Sequence, residues 1–328
     1  MKRYKVLAAL VSVTICAAPA STSAQQPAQG APNALDQARA ELPWAFHVAA
    51  PGQQREDDGT VKRLPGSDKS FTVPQINDPY APPDWYPDDH PVMPEVVARG
   101  RNPEVRACSQ CHLPNGLGHP ESSSLAALPA AYITQQMEDF RTVARKNAGI
   151  MTVIARGMND AELEASAEYF ASLPLTPWTS VVETDMVPTT YIGPGNMRFE
   201  VTDPAGMEPL GQRIIVVPDD HELAELRDSH SPFIAYVPVG SIAAGERLAT
   251  TGGDKTLRCG ICHGADLKGQ GPIPGFAGRS AIYIARQLYS FQHGLREGAW
   301  SDLMAEAVAD LTTDDLIALA AYGASLEP

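Results

Sequence analysis

Cys108-Ser109-Gln110-Cys111-His112 and Cys259-Gly260-Ile261-Cys262-His263 are two copies of one pattern, C-x-x-C-H. The 328-residue chain has five cysteines, and these motifs hold four of them. Two thiols three residues apart on a helical turn match the two vinyl groups of one haem, and the adjacent histidine offers an imidazole to the iron. A thioredoxin-like redox pair, a zinc half-site and a structural disulfide also use Cys-x-x-Cys. None of these three explains a histidine directly after both copies, so the pattern reads as two sites of c-type haem attachment.

The motifs head an internal repeat. Tyr132 and Tyr283 both lie 20 residues beyond the motif histidine, Phe140 and Phe291 28 beyond, and Arg145 and Arg296 33 beyond. The second copy then gains two residues, after which Met151 matches Met304, Leu163 matches Leu316 and Tyr169 matches Tyr322. The repeat sorts the methionines. Met137 aligns with Leu288 and Met158 with Leu311, so a plain hydrophobe suffices there, whereas Met151 and Met304 are methionine in both copies. A thioether at that position makes a six-coordinate iron and raises its reduction potential. His112 with Met151 and His263 with Met304 are therefore the candidate axial pairs. Met93, Met186, Met197 and Met207 lie outside the repeats and read as loop or packing residues.

Each copy carries helical signals. Ile133, Met137 and Phe140 fall on one helix face, as do Ile284, Leu288 and Phe291. Asn159 with Glu162, and Thr312 with Asp315, mark starts of helices whose apolar runs end at Leu173 and Leu326. Ser241 is positioned to cap a helix through Ile242 to Ala249, and Pro94 to Ala98 begins a shorter one.

Outside the repeats, Lys2, Arg3 and Lys5, the apolar run Val6 to Ala18 and Thr22-Ser23-Ala24 form an export leader, with cleavage near Ala24 and a periplasmic destination. Cleavage at Cys16 as a lipoprotein is the alternative, disfavoured by Ile15 before it. No other run approaches the roughly 20 apolar residues of a membrane span. Formal net charge is −14, and −17 without residues 1–24. With no basic cluster beyond the first five residues, this charge argues against nucleic acid and anionic membranes as partners. By segment the nets are −5 for residues 25–94, −2 for 95–174, −7 for 175–235 and −3 for 236–328.

Those segments give the expected organisation: a leader over 1–24, a proline-rich extended segment over 25–93, a helical unit over 94–174, a connector over 175–239 and a second helical unit over 240–328. The connector carries strand signals at Arg213-Ile214-Ile215-Val216-Val217 and Phe233-Ile234-Ala235-Tyr236-Val237. Trp44, Trp85 and Trp178 read as packing anchors.

Each repeat resembles a class I cytochrome c, and the tandem resembles the di-haem cytochrome c4 type. The resemblance rests on His263-Gly264-Ala265-Asp266, Pro274-Gly275-Phe276-Ala277-Gly278-Arg279, Tyr283-Ile284-Ala285-Arg286-Gln287-Leu288 and Leu319-Ala320-Ala321-Tyr322. In the first copy it rests on Tyr132-Ile133-Thr134-Gln135-Gln136-Met137 and Ala167-Glu168-Tyr169-Phe170. It covers about half of the chain. It implies a mainly α fold of two haem lobes, joined by a long extended or β-containing connector, with two covalently bound haem c groups and His/Met ligation. It also implies that a proline carbonyl near Pro274 orients the proximal histidine. The first copy departs from the pattern, with Leu113 for the glycine after the histidine and Ser123 where Pro274 stands, and Pro120 is the nearby substitute.

Two functions stay open at this level. One is electron transfer between a redox protein donor and an acceptor, with an acidic frame that suits a basic docking partner. The other is a haem enzyme of the di-haem peroxidase kind, or an electron-accepting subunit of a periplasmic dehydrogenase. A peroxidase needs an open or bis-His iron and a distal acid/base pair, for which His47, His90, His119, His221, His230 and His293 are available. The matched methionines favour electron transfer.

Overall fold

The computed structural model describes residues 33–47, 55–146 and 149–328. The expected leader, its cleavage point and Cys16 lie outside the described residues.

The first helix, α1 (Ala34–Glu41), starts where the Asn33 carboxamide oxygen accepts from the amides of Leu35 and Asp36 at 3.1 and 3.0 Å. The expectation of extended structure fails here, because the prolines flank this run instead of interrupting it. The same segment touches both repeats: Ala107 N donates to Pro79 O at 3.0 Å and Tyr80 OH to Pro103 O at 2.9 Å in the first, while Tyr289, in the second, donates its OH to Glu41 Oε2 at 2.6 Å and lies obliquely against Phe46. Strands β1 (Val61–Lys62) and β2 (Phe71–Thr72) pair antiparallel, and one turn of helix, α2 (Val73–Ile76), follows. Trp85 is buried with Leu64, Ile76 and Leu226 and donates its indole N–H to Leu226 O at 2.8 Å, so it anchors this segment on the connector.

Next come α3 (Glu95–Ala98), α4 (Ser109–His112), α5 (Ala130–Arg141), α6 (Gly149–Gly157) and α7 (Asp160–Ser172). Ile133, Met137 and Phe140 are the buried face of α5, as their spacing requires. Fully burying side chains of this size is worth roughly 1.5–3 kcal/mol each. A reciprocal capping box of Asn159 and Glu162, each bond 2.9 Å, starts α7, and Leu173 ends it.

The connector holds β3 (Thr179–Glu183), β4 (Met186–Pro188), β5 (Thr190–Ile192), β6 (Arg198–Glu200), β7 (Met207–Pro209), β8 (Ile215–Pro218), α8 (His221–Glu225) and β9 (Phe233–Val237). One sheet has the order β3-β9-β8, with β3 parallel to β9 and β8 antiparallel to it. The two strand signals correspond to β8 and β9. Strand β3 carries no comparable signal, since its partner lies more than fifty residues away.

The chain ends with α9 (Ser241–Thr251), α10 (Gly260–His263), β10 (Gly269–Gln270), β11 (Ile273–Pro274), α11 (Ala281–Gln292), α12 (Ser301–Val308) and α13 (Thr313–Ser325). Ser241 is the first residue of α9 and not its cap. Gly240, at φ +86°, holds the cap position, and Glu183 Oε1 at the end of β3 accepts from Ile242 N at 2.9 Å. Helix α13 starts at a second capping box, Thr312 with Asp315. Among the described residues, no helix is long and apolar enough to cross a membrane.

Matched arginines join the two helical sets. Arg145 donates to Gln136 Oε1 at 2.9 Å, Gln287 Oε1 at 2.8 Å and Tyr283 OH at 3.2 Å. Arg296 reciprocates toward Gln287 Oε1 at 3.0 Å, Gln136 Oε1 at 2.6 Å and Tyr132 OH at 3.3 Å. Each guanidinium lies over the phenylalanine of its own set, Arg145 4.6 Å above Phe140 and Arg296 4.1 Å above Phe291. Arg279 adds bonds to Ser124 O and Ala126 O, and Arg286 pairs with Glu121.

Candidate haem sites

Both C-x-x-C-H motifs form a single helical turn. His112 N donates to Cys108 O and His263 N to Cys259 O, each at 3.0 Å. Each turn is fastened to the helix before it. Cys108 N reaches Val96 O and Ser109 Oγ reaches Val97 O, while Cys259 N reaches Ala249 O at 2.9 Å. Each turn ends on a residue with positive φ, Gly264 at +83° and Leu113 at +60°. Glycine adopts that conformation freely. Leucine carries strain there, so the sequence departure at Leu113 leaves the backbone path intact at an energetic cost.

The histidine rings are held alike. His263 Nδ1 donates to Pro274 O at 2.8 Å and His112 Nδ1 to Ser123 O at 2.9 Å, each partner eleven residues on. The expected substitution by Pro120 is therefore incorrect: the acceptor is a main-chain carbonyl, which Ser123 supplies without a register shift. This bond fixes the proton on Nδ1 and turns the Nε2 lone pair outward as a metal ligand. Burial depresses the pKa of both imidazoles, against the opposing effect of the carbonyl bonds.

Haem attachment fits these residues better than the rival uses of Cys-x-x-Cys. All four cysteines are free of disulfides. Burial pushes the Cys108 thiol up to about 12 and raises Cys111 and Cys259 as well, the reverse of the acidified thiol a redox pair needs. Among the described residues, no three His, Cys, Asp or Glu side chains gather as a metal cluster. The available histidines are engaged elsewhere: His47 with Asn196 O, His90 with Asp84, His119 with Ser122, His221 with Glu225, His230 with Asp89, and His293 with Tyr289.

Met151 and Met304 sit in the first turns of α6 and α12, and both pack half-buried against the main core, as do Cys108 and Cys259. Met137 and Met158 are buried core residues. The two motifs differ in their surroundings. Arg227, in the connector, donates to Gln110 O, and Asn115 Nδ2 donates to Ser229 O at 2.6 Å. Gln110 is consequently 8% exposed, whereas Ile261, its counterpart, is 56% exposed. No local sequence signal marks Arg227, because its partner is a main-chain carbonyl more than a hundred residues away.

No family model matches the chain. The thiosulfate dehydrogenase electron acceptor of Stutzerimonas stutzeri is 26% identical over 232 residues, which are 69% of this chain and 82% of that protein. Cytochrome c-554(548) of Halomonas halodenitrificans is 36% identical over 80 residues, 24% of this chain and 96% of that cytochrome. The solved thiosulfate dehydrogenase of Marichromatium purpuratum superposes with a TM-score of 0.48 at 24% identity, over 70% of this chain and 39% of that one. The chain thus spans about two fifths of that structure. Because it contains nearly the whole of a small cytochrome at this identity, the chain belongs to the c-type cytochromes, electron carriers that hold haem c covalently.

Proposed function

We propose that this cytochrome carries two haem c groups, one bound through Cys108 and Cys111 and the other through Cys259 and Cys262. In this reading His112 and Met151 ligate one iron, and His263 and Met304 the other. Residues 94–174 and 240–328 are then two haem lobes from an internal duplication, joined by the connector over 175–239. The observation that carries the proposal is the duplicated turn with its histidine bonded to a carbonyl eleven residues on. Haem c supplies reversible one-electron transfer. The protein's residues fix each imidazole by its Nδ1 bond, bury it away from water and leave the thioether as the second soft donor.

The donor is a dehydrogenase. The relative named as an electron acceptor of thiosulfate dehydrogenase aligns over two thirds of this chain, which favours an enzyme oxidising a reduced sulfur anion. The leader, cut near Ala24, directs the protein to the periplasm. Haem content of the purified chain is expected to be two per polypeptide, and one in a Cys108→Ala/Cys111→Ala variant. Met151→Ala and Met304→Ala are each expected to remove half of the methionine-to-iron absorption of the oxidised protein. A haem count of one, or a methionine variant with an unchanged spectrum, would overturn the assignment.

The acidity of residues 25–94 and 175–235 suits a partner with a basic docking face. Electron transfer from the dehydrogenase is then expected to slow severalfold between low and physiological ionic strength. A flat salt dependence would exclude this docking mode.

A further inference from the structure

The connector makes the two sites unequal. Arg227 approaches the first motif from outside its helical set and donates to Gln110 O, between Cys108 and His112. The Gln110 side chain adds a second bond, its oxygen accepting from Arg227 Nη2 at 2.8 Å while its nitrogen donates to Asp78 O at 3.1 Å. The guanidinium is half-buried, and its field reaches Cys111 and His119. No carboxylate among the described residues forms an ion pair with it, since Glu225 is taken by Arg55 and Asp228 receives His230 N and interacts with Tyr86. The backbone at Arg227 has φ +59°, a left-handed conformation for a non-glycine residue, and it is pinned on one side by Trp85 bound to Leu226 O and on the other by Asn115 bound to Ser229 O. Among the described residues, the second motif has no such neighbour, and Arg258, beside Cys259, is exposed. The motif's corresponding positions, Ile261, Cys262 and Asp266, are exposed.

We infer that Arg227 is a positioning residue that sets the order of the two reduction potentials, making the first centre the stronger electron acceptor. The inference rests on the two-haem reading. A fixed cation favours the reduced state, which carries one positive charge fewer, and a partly buried charge is screened much less by salt than a surface one. One electron then passes from the second centre to the first. One centre is oxidised, the other is reduced, and no bond or proton moves. The exposed second motif is the end at which electrons enter.

The test is a spectroelectrochemical titration of the full chain and of Arg227→Gln and Arg227→Lys. Met304→Ala marks which centre is the second by its altered spectrum. The wild type is expected to titrate in two waves whose separation persists from low to high salt. Arg227→Gln is expected to lower the first centre alone, reducing the equilibrium constant for transfer from the second centre to the first by about threefold to tenfold, where tenfold is 59 mV. Arg227→Lys keeps the charge and is expected to stay near the wild type. Equal movement of both waves, an unchanged separation in Arg227→Gln, equal loss in Arg227→Lys, or a separation abolished by salt would each overturn the inference. A pyridine haemochrome count other than two per chain would instead overturn the reading on which it rests.

Discussion

Gly245→Ala is expected to lower stability by about 3 kcal/mol, although intrinsic helix propensity favours alanine by about 1 kcal/mol. The contact decides the sign. A Cβ at Gly245 would lie 2.0 Å from Ala318 O and 2.7 Å from Tyr322 Cβ, so the methyl meets the backbone of α13 and no side chain can swing aside. The two helices must separate, and overpacking of a close contact costs 1–3 kcal/mol or more. The effect extends to the haem site, because Ala249 on the same helix accepts from Cys259 N and so locates the second motif. Thermal unfolding followed by far-ultraviolet circular dichroism is expected to show a melting temperature lower by roughly 5–10 °C. A melting temperature at or above that of the parent would show that α9 and α13 are not in the contact described.

The elements legible in the sequence are those whose causes are local. A C-x-x-C-H turn is written in five residues, and the capping boxes of α7 and α13 in four each. The buried face of α5 follows from the helical period alone. Helix α1 has a local signal too, Asn33 ahead of an eight-residue run without proline or glycine, but the proline content of the surrounding segment outweighs it in a reading by composition. What is not legible depends on partners distant in sequence. The carbonyl that orients His112 is main-chain and leaves no residue signature, so the search for a proline points to Pro120 when Ser123 supplies the bond. Strand β3 is defined by its pairing with β9, and the Glu183 at its end caps α9 in place of Ser241. The alignment matches Arg145 with Arg296, but only the fold shows that they meet.

That meeting gives the second large effect. Arg145→Met is expected to destabilise the protein by about 3 kcal/mol. The substitution keeps much of the volume over Phe140 while removing the charged donor to Gln136, Gln287 and Tyr283, and a hydrogen bond to a charged group is worth about 1.5–3 kcal/mol. Relief of repulsion with Arg296 offsets part of the loss. Because Gln136 and Gln287 are each shared by both arginines, either single variant leaves each amide oxygen one donor, so Arg145→Met/Arg296→Met, which leaves none, is expected to cost clearly more than the two single variants together, a non-additivity of neighbours with common partners. Tyr283 provides an independent readout. Burial pushes its phenol up, but the guanidiniums of Arg145 and Arg296 outweigh burial and bring it down to about 8. A phenol with a folded pKa below its unfolded value of about 10 contributes stability that is complete above pH 10 and is lost as pH falls through 8. Tyrosinate absorbance is thus expected to show one phenol titrating near pH 8, absent in Tyr283→Phe and shifted upward in Arg145→Met. Strict additivity of the two arginine variants, together with no tyrosine titrating below pH 9, would mean that the two helical sets do not share this cluster.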